Sequence, residues 1–399
     1  MTASPSGLLP GAEETAGGPR EMTLGVLGGG QLGRMFVHAA QGMGYFTAVL
    51  DPDSASPAGR VSHHHIQTTY LDSQGLSELS RLCAAITTEF ENVPAQALHE
   101  LARQRHVAPA ARAVGIAQDR TLEKAHFVHC GVRCAPYADI SNTEQLAAVT
   151  DALLPGILKT ARMGYDGKGQ IRVHSRTELD EAWARLGSVP CVLEKMLALA
   201  TECSVIVARG RDGTVVNLPV QRNLHRDGIL AVTQVFEGNL PAPLAEQAIA
   251  SAKAIAIELD YVGVLCVEFF VLNDGSLVVN EIAPRPHNSG HYSQNACDVS
   301  QFELQVRTLA GLPLVQPRQH SPAIMLNLLG NLWFAAGPTA TTPPWDKVLA
   351  LPGVHLHLYG KLNAKVGRKM GHLNITGSTT EEVQATALQA SHLLGIAPF

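Results

Sequence analysis

The sequence has little charge and few aromatic residues. Asp, Glu, Lys and Arg make up 16% of its 399 residues, and Phe, Trp and Tyr make up 5%. The 30 Lys and Arg residues are outnumbered by 35 Asp and Glu residues, so the basic surface that attracts nucleic-acid phosphates is not predicted. No run of about 18 uncharged apolar residues occurs, and no transmembrane helix is therefore expected. A hydrophobic share of 46% indicates a soluble globular protein.

Paired cysteine motifs are also missing. The seven cysteines lack CxxC spacing, so neither a zinc site nor a regular disulfide framework is predicted. Reduced thiols and a cytoplasmic location are the corresponding expectations. Cys130 and Cys134 lie four residues apart without a second pair, and we expect no metal there. The run 63–65 of three histidines is interpreted as a solvated loop.

The chain changes character along its length, which favours two or three domains. Residues 1–21 are rich in Gly, Pro, Ala and Glu and are predicted to form a disordered extension. Short apolar runs then alternate with helical spacing up to about residue 118, which predicts a parallel α/β sheet. From residue 119 to residue 313, strands follow one another with hairpin turns, as in an antiparallel sheet. A Pro-flanked region with further strands occupies 314–399.

A glycine-rich turn follows the first predicted strand. Residues 28–33 read GGGQLG, a helical pattern follows them, and Asp51 ends the next strand. This context fits a dinucleotide fingerprint. The same turn could instead present backbone N–H groups to a substrate phosphate, or it could be only a tight strand-to-helix connection.

A second glycine-rich stretch has features of a nucleotide site. Lys159 lies on a predicted strand that leads into GYDGKGQ at 164–170, which together supply a positive charge and a cover of backbone amides. The Walker pattern GK[ST] is absent, because Gly169 follows Lys168. A surface hairpin would explain these glycines without a ligand.

Carboxylates interrupt two apolar strands that form a predicted hairpin. Glu268 lies on one strand, and Asn280 and Glu281 lie on the other. Since side chains alternate between the faces of a strand, Glu268 and Glu281 can face each other across the pair. Two carboxylates and an amide in apolar strands predict a cation, and oxygen ligands favour Mg²⁺.

Two further polar stretches indicate anion binding. The hairpin exit carries Arg285, His287 and Asn288 between prolines and glycines, which is typical of an anion clamp. Lys361 and the stretch 368–372 form a local basic cluster in a mildly acidic chain. Such a cluster fits a phosphorylated metabolite, although a solvated charged loop would have the same composition.

Together these motifs resemble those of ATP-grasp ligases and, more narrowly, the N5-carboxyaminoimidazole ribonucleotide synthases of purine biosynthesis. The resemblance covers residue 22 to the C-terminus, and the order NEIAPRPHNSGH then GRKMGH is its most specific part. In that family the first glycine turn receives a ribonucleotide and binds no NAD. The motifs are GGGQLGRM at 28–35, TEFENVP at 88–94, GYDGKGQ at 164–170, NEIAPRPHNSGH at 280–291, SQFE at 300–303 and GRKMGH at 367–372.

The resemblance implies an α/β and α+β fold of three lobes, usually assembled as a homodimer. These are a Rossmann-like preATP-grasp domain at 22–118, an ATP-grasp domain with a lid hairpin at 119–313 and a small β-rich C-terminal domain at 314–399. Glu268 and Glu281 would hold Mg²⁺. The ATP contacts carried over by position are Arg120, Lys159, Gly164, Tyr165, Asp166, Gly167, Lys168, Gly169, Gln170, Glu194, Lys195, Met196, Leu197, Glu202, His225, Asn280 and Glu281.

The implied reaction is the ATP- and bicarbonate-dependent carboxylation of 5-aminoimidazole ribonucleotide through carboxyphosphate. Arg285, His287 and Asn288 would hold bicarbonate, Lys159 would neutralise the transferred phosphoryl group, and Asp166 would accept the amine proton. The product would pass to a mutase. The residues expected to contact the ribonucleotide are Gln31, Leu32, Glu89, Tyr165, Lys361 and Arg368.

Three other functions compete with this interpretation. A formate-dependent glycinamide ribonucleotide formyltransferase shares the nucleotide lobe but not the motifs at 280–291 and 367–372. An NAD(P)-dependent oxidoreductase would use the first glycine turn and Asp51, yet no hydride site is evident elsewhere. A catalytically silent nucleotide-binding relative would be expected to lack some of the charged residues Lys159, Glu268 and Glu281, which are all present.

Overall fold

The computed structural model describes residues 7–15, 18–162, 164 and 169–399. Its N-terminal stretch corrects the expectation of a wholly disordered extension. Strands β1 (Ala12–Thr15) and β2 (Gly18–Glu21) pair antiparallel. The Leu8 N–H donates to the Ala310 carbonyl at 2.7 Å, and the Tyr45 hydroxyl donates to the Leu8 carbonyl at 2.5 Å. These bonds use backbone groups of the extension, so its side-chain pattern gave no sign of them.

A five-stranded parallel sheet forms the first lobe. Its order is β5-β4-β3-β6-β7, with the first strand of the fingerprint in the centre. All residues of the central strand are buried, which matches the apolar run expected of a parallel sheet. The histidine run, expected to be a loop, contributes an edge strand. The elements are β3 (Thr23–Leu27), α1 (Gln31–Gly42), β4 (Phe46–Leu50), β5 (His64–Ile66), α2 (Ser73–Leu82), β6 (Ala85–Thr88), α3 (Ala95–Ala102), β7 (His106–Val107) and α4 (Ala111–Ala117).

A four-stranded antiparallel sheet comes next, in the order β10-β9-β11-β8. Asp119 caps the helix that opens this segment, because its side chain accepts from the backbone N–H groups of Thr121 and Leu122. The predicted strand carrying Lys159 lies inside the sheet. The elements are α5 (Arg120–His129), β8 (Tyr137–Ile140), α6 (Thr143–Ala148), β9 (Gly156–Thr160), β10 (Gln170–Val173), α7 (Arg176–Arg185) and β11 (Cys191–Lys195).

The largest sheet has nine strands in the described part of the chain. Its main order is β17-β16-β12-β14-β15-β18-β20-β19, with β13 paired to β12. The elements are β12 (Leu199–Arg209), β13 (Val215–Asn217), β14 (Gln221–Arg226), β15 (Ile229–Val235), α8 (Ala242–Glu258), β16 (Gly263–Leu272), β17 (Leu277–Ala283), α9 (Ser293–Ala296), α10 (Gln301–Ala310), β18 (Ala323–Leu329), α11 (Trp345–Leu349), β19 (Val354–Leu358), β20 (Lys369–Thr376) and α12 (Thr380–Leu394).

The C-terminal strands continue this sheet instead of forming one of their own. Strand β18 pairs antiparallel with β15, placing Ala323 opposite Val235. Hydrogen bonding between strands therefore links the parts of the chain before and after residue 313, and the boundary drawn there stays a prediction. Among the described residues, no helix is long and apolar enough to cross a membrane.

A small apolar cluster joins the lobes near the first glycine turn. Leu32 and Met35 on α1 pack with Phe302 on α10 and with Tyr359, which follows β19. Each of these side chains is buried. This packing holds the beginning of α1 close to the segment that carries Lys361.

Candidate functional site

A cavity of about 1030 Å³ lies between the four-stranded and nine-stranded sheets. Four predicted site residues, Tyr165, Asp166, Gly167 and Lys168, lie outside the described residues. The Gly169 carbonyl accepts from the Thr160 N–H at 2.9 Å, beside the cavity wall. The predicted residues that line the cavity are Arg120, Lys159, Gly164, Gln170, Glu194, Lys195, Met196, Leu197, Glu202, His225, Glu268, Asn280, Glu281, Arg285, His287 and Asn288.

Two carboxylates face each other on the cavity floor, as predicted. Glu268 on β16 stands opposite Glu281 on β17, and the next pair along is Phe269 with Val279. Asn280 is therefore the extra residue of a β-bulge. Burial raises the pKa of Glu268 to about 7, and the charge of Glu281 adds to the rise. Glu281 is more open, with 43% of its side chain exposed, and two carboxylates placed this close together favour a bound cation.

The donor set fits Mg²⁺. The Asn280 Oδ1 atom is buried and has no hydrogen-bond partner, although buried polar atoms are normally paired. It lies next in sequence to Glu281 and lines the same cavity. Two carboxylates and an amide oxygen are ligands that Mg²⁺ accepts together with substrate phosphates.

Lys159 belongs to a buried charge network that is larger than the sequence predicted. Its Nζ atom lies 3.1 Å from Glu194 Oε2, and Lys124 Nζ lies 3.3 Å from Glu194 Oε1. Lys124 also donates to the Asn280 carbonyl at 3.2 Å. The two lysine charges outweigh burial and lower the pKa of Glu194. The Glu194 carboxylate thus orients two ammonium groups at the cavity wall.

Arg120 and Glu123 complete this network on helix α5. Arg120 Nη1 lies 3.2 Å from Glu281 Oε2, and Glu123 accepts from the Ile282 N–H at 2.7 Å. Burial, with the nearby charge of Glu281, raises the pKa of Glu123 to about 8. Sequence reasoning missed Glu123 and Lys124. The spacing of four between Arg120 and Lys124, which places them on one helix face, was the available signal.

Arg285 is held by Glu91, which was not among the predicted site residues. Its Nε donates to Glu91 Oε2, and Glu91 also lines the cavity. Burial would raise the pKa of Glu91, but the charge of Arg285 overcomes this effect and lowers the pKa to about 2. Glu91 belongs to the TEFENVP motif, so the motif connects the first lobe with the anion clamp.

The two histidines of the cavity differ in the direction of their pKa shift. Burial and the charge of Arg285 lower the pKa of His287 well below its usual value, and its Nε2 atom lies 3.1 Å from Glu268 Oε1. His225 Nδ1 lies 2.6 Å from Glu202 Oε2. Burial would lower the pKa of His225, but the carboxylates of Glu202 and Glu268 reverse the effect and raise it.

In the first glycine turn, three backbone N–H groups already have partners within the chain. The Gly29 N–H donates to Asp51 Oδ2 at 2.6 Å, and the Gly30 and Gly33 N–H groups donate to Glu89 at 2.8 and 2.9 Å. Of the three alternatives for this turn, these bonds favour a structural role for the three amides, because two carboxylates of the chain already accept from them. A side chain at Gly30 would collide with the Glu89 carboxylate, which explains the glycine.

Lys361 and Arg368 lie near this turn, outside the lining of the cavity. Lys361 Nζ donates to the Lys369 carbonyl at 2.6 Å, and Arg368 Nη1 donates to the Asn363 carbonyl at 2.9 Å. Burial, then the charge of Arg368, lowers the pKa of Lys361 to about 8. Arg34, which the sequence motifs did not single out as a site residue, approaches closely enough that a Cβ at Gly360 would lie 2.9 Å from its Nη1 atom.

Lys369 connects this basic cluster with the cavity. It follows Arg368 and lines the cavity wall, and its charge acts on both Glu91 and Lys361. The cavity and the basic cluster are therefore neighbouring parts of one charged surface.

Family models match all three segments of the chain. The ribonucleotide synthetase preATP-grasp domain matches residues 21–118, and the ATP-grasp domain matches residues 125–302. The phosphoribosylaminoimidazole carboxylase C-terminal domain matches residues 323–386. The N5-carboxyaminoimidazole ribonucleotide synthase of Brucella melitensis biotype 1 is 43% identical over 354 residues, covering 88% of this chain and 95% of that protein. The chain belongs to the N5-carboxyaminoimidazole ribonucleotide synthase family.

Further relatives agree with this family assignment. The Bacillus subtilis synthase is 38% identical, with 90% of this chain and 92% of that protein covered. The Thermus thermophilus synthetase structure has a TM-score of 0.86 at 35% identity, covering 94% and 99% of the two chains. An Aspergillus clavatus synthase, solved with ADP and 5-aminoimidazole ribonucleotide, has a TM-score of 0.85 at 30% identity and covers 95% and 100%. The predicted resemblance and ATP-grasp fold are confirmed.

Membership of this family decides between the alternatives. The oxidoreductase and formyltransferase interpretations of the sequence are not supported by the family models matched at 21–118, 125–302 and 323–386. The site agrees, because Asp51 and Glu89 occupy the amides that a dinucleotide pyrophosphate would need.

Proposed function

We propose that this chain carboxylates 5-aminoimidazole ribonucleotide with ATP and bicarbonate, giving N5-carboxyaminoimidazole ribonucleotide for purine synthesis. One observation carries the proposal. A cation-binding carboxylate pair, Glu268 and Glu281, shares a cavity with Lys159 and with the clamp of Arg285 and His287, in a chain of this synthase family. A cavity with these groups can bind ATP and a small anion and support phosphoryl transfer between them.

The ATP-binding role rests on the charge network. Lys159 and Arg120 line the cavity and pair with the Glu194 and Glu281 carboxylates, respectively. They would neutralise the phosphates, while Glu202 would contact the ribose and His225 would lie nearby. The residues proposed to surround the nucleotide further are Gly164, Tyr165, Asp166, Gly167, Lys168, Gly169, Gln170, Lys195, Met196, Leu197 and Asn280.

Glu268, Glu281 and Asn280 are the residues that would hold Mg²⁺. When bound, the ion would neutralise charge on the transferred phosphoryl group. Glu194, by contrast, is proposed as a positioning residue. Its carboxylate fixes the ammonium groups of Lys159 and Lys124 and so prepares the site electrostatically before ATP binds.

Bicarbonate is proposed to bind at Arg285, His287 and Asn288. A bicarbonate oxygen attacks the γ-phosphorus, ADP leaves, and carboxyphosphate forms. Asn288 Nδ2 is buried without a hydrogen-bond partner, and a buried donor of this kind can bind an anion oxygen. His287 can donate a hydrogen bond to the anion from its ring N–H group. Burial of the clamp keeps water from a short-lived intermediate.

The exocyclic amine of the ribonucleotide then attacks the carboxyl carbon of carboxyphosphate, or of the CO₂ that it releases. Phosphate leaves, and the amine proton passes to a base, for which we propose Asp166. Lys361 and Arg368 would bind the ribonucleotide phosphate, and Glu89 would keep the first glycine turn in place through two backbone amides. Gln31, Leu32 and Tyr165 are proposed as further contacts.

We further propose that the protein acts as a homodimer in the cytoplasm and passes its product to a mutase. The described cysteines are all free thiols, which supports a reducing compartment. The dimer and the mutase are implied by the family resemblance alone.

The proposed carboxylation is tested by tracing the bicarbonate carbon into the product. Purified protein is supplied with ¹³C-bicarbonate, ATP, Mg²⁺ and 5-aminoimidazole ribonucleotide, and the products are examined by ¹³C NMR. We expect a ribonucleotide carbamate signal that requires ATP. If no label enters the ribonucleotide although ADP forms, carboxylation of this acceptor is contradicted.

A further inference from the structure

Three side chains capable of binding a soft metal ion meet on the cavity floor. The ligand atoms of Cys266, Glu268 and His287 lie within 4.8 Å of one another, and His287 Nε2 is 3.1 Å from Glu268 Oε1. Cys266 and Glu268 are two residues apart on β16, so they project from the same face of the strand. Small side-chain movements would bring all three to the bond lengths of a zinc site, about 2.0–2.3 Å.

This ligand set differs from the proposed magnesium set. Mg²⁺ binds oxygen ligands and does not take a thiolate, whereas Zn²⁺ and Co²⁺ bind sulfur and imidazole nitrogen well. The two sets share Glu268. Its carboxylate lies between Cys266 and His287 on one side and Glu281 on the other, so the two ions would compete.

The surroundings of His287 prepare it as a ligand. Its Nδ1 atom lies 2.9 Å from Ser289 Oγ, and Ser204 donates its hydroxyl to that same oxygen at 2.8 Å. The Ser289 N–H donates to the same Nδ1 atom at 3.3 Å. These contacts hold the ring with Nε2 facing Glu268, and partners of this kind fix the ring orientation of metal-binding histidines.

An ion could reach the cluster from the cavity. Cys266 is fully buried, but the side chains of His287 and Glu268 are 15% and 12% exposed and line the cavity. The thiol forms the back of the site, and the other two ligands form its open side.

We propose that Cys266, Glu268 and His287 form a binding site for a thiophilic divalent cation such as Zn²⁺, which inhibits the enzyme by displacing Mg²⁺. On binding, the Cys266 thiol releases its proton to solvent and the sulfur bonds to the ion, with no change in oxidation state. This site goes beyond the carboxylation reaction and does not depend on which acceptor the enzyme uses.

Direct binding is tested with Co²⁺ and no nucleotide, so that turnover is not needed. The full chain is titrated in a thiol-free buffer, and absorption in the near ultraviolet reports cobalt–thiolate bonds. We expect this band in the wild-type protein and in Cys203→Ala, an equally buried cysteine on the adjacent strand β12. Cys266→Ala and Cys266→Ser should lose the band and bind Co²⁺ about tenfold or more weakly.

Inhibition of enzyme activity by Zn²⁺ provides a second test. At fixed MgATP, Zn²⁺ should inhibit the wild-type enzyme, and added Mg²⁺ should relieve the inhibition. The zinc concentration for half inhibition should rise about tenfold or more in Cys266→Ala and stay unchanged in Cys203→Ala.

The proposal is overturned if the wild-type protein shows no cobalt–thiolate band, or if both Cys266 variants keep it. Equal zinc sensitivity of Cys266→Ala and the wild-type enzyme would also contradict it. The serine variant preserves the side-chain volume, so it serves if the alanine variant fails to fold. Absence of the band in the wild-type protein together with normal carboxylation would refute only this site, whereas absence of carboxylation in a wild-type protein with a normal band would refute only the proposed function.

Discussion

The cavity floor and the first glycine turn use carboxylates in different ways. On the floor, Glu268 and Glu281 oppose each other, and the neighbouring Asn280 oxygen has no partner. In the turn, Asp51 and Glu89 accept hydrogen bonds from three backbone amides. The floor therefore keeps an amide oxygen that the chain does not satisfy, whereas in the turn the chain satisfies its own backbone amides. Unsatisfied groups, more than glycine content, identify where a ligand binds.

The largest effect is expected at Lys159, whose ammonium group lines the cavity. In Lys159→Ala, kcat/KM for ATP should fall about a thousandfold, because a preorganised charge on the phosphoryl group is lost. The exposed Lys347→Ala variant is the control. Steady-state ADP release measures both. A fall of less than tenfold in Lys159→Ala would show that Lys124 and Arg120 suffice, and would contradict the role given to Lys159.

The basic cluster beside the turn should control only the ribonucleotide. Arg368→Ala is expected to raise its KM about 10- to 100-fold, since a charged hydrogen bond to phosphate is worth about 1.5–3 kcal/mol, while KM for ATP changes little. Lys365→Ala removes an exposed cation of the same loop and should leave both constants unchanged. The reverse pattern, with ATP affected and the ribonucleotide not, would contradict the phosphate assignment.

The cluster should also respond to pH. Burial lowers the pKa of Lys361 to about 8, so this ammonium group is charged below that pH and neutral above it. In the free enzyme, kcat/KM for the ribonucleotide should therefore fall severalfold as pH rises through about 8. Lys361→Arg keeps its charge and should shift this fall to higher pH. An unchanged profile in the arginine variant would assign the titration to another group.

The smallest catalytic effect is expected at the turn itself. Glu89→Gln keeps one acceptor but places an amide N–H₂ against a backbone donor, which should cost about 1–3 kcal/mol of unfolding free energy. Urea denaturation measures this loss, and KM for the ribonucleotide should rise a few fold. Unchanged stability would show that the two amide bonds in the turn contribute little.

The sequence predicted elements whose signal is local. The strand before the first glycine turn, the strand carrying Lys159 and the hairpin carrying Glu268 were predicted, and they are β3, β9 and β16 with β17, because apolar runs mark them. The pairing of Glu268 with Glu281 also followed from strand alternation and a short Asn-Asp-Gly-Ser turn.

Features that depend on distant parts of the chain could not be predicted in this way. The salt bridge between Lys124 and Glu194 joins residues from α5 and β11, and the contact of Glu91 with Arg285 joins separate lobes. No short sequence pattern predicts contacts between residues so far apart in the chain. The bulge at Asn280 likewise shifts the register by one residue without a glycine to mark it.

The most direct test of the central claim measures ADP release with ATP, Mg²⁺ and bicarbonate, with and without 5-aminoimidazole ribonucleotide. We predict strong stimulation by the ribonucleotide that requires bicarbonate. No stimulation, with turnover restored by glycinamide ribonucleotide and formate, would contradict the proposed carboxylation and identify a formyltransferase.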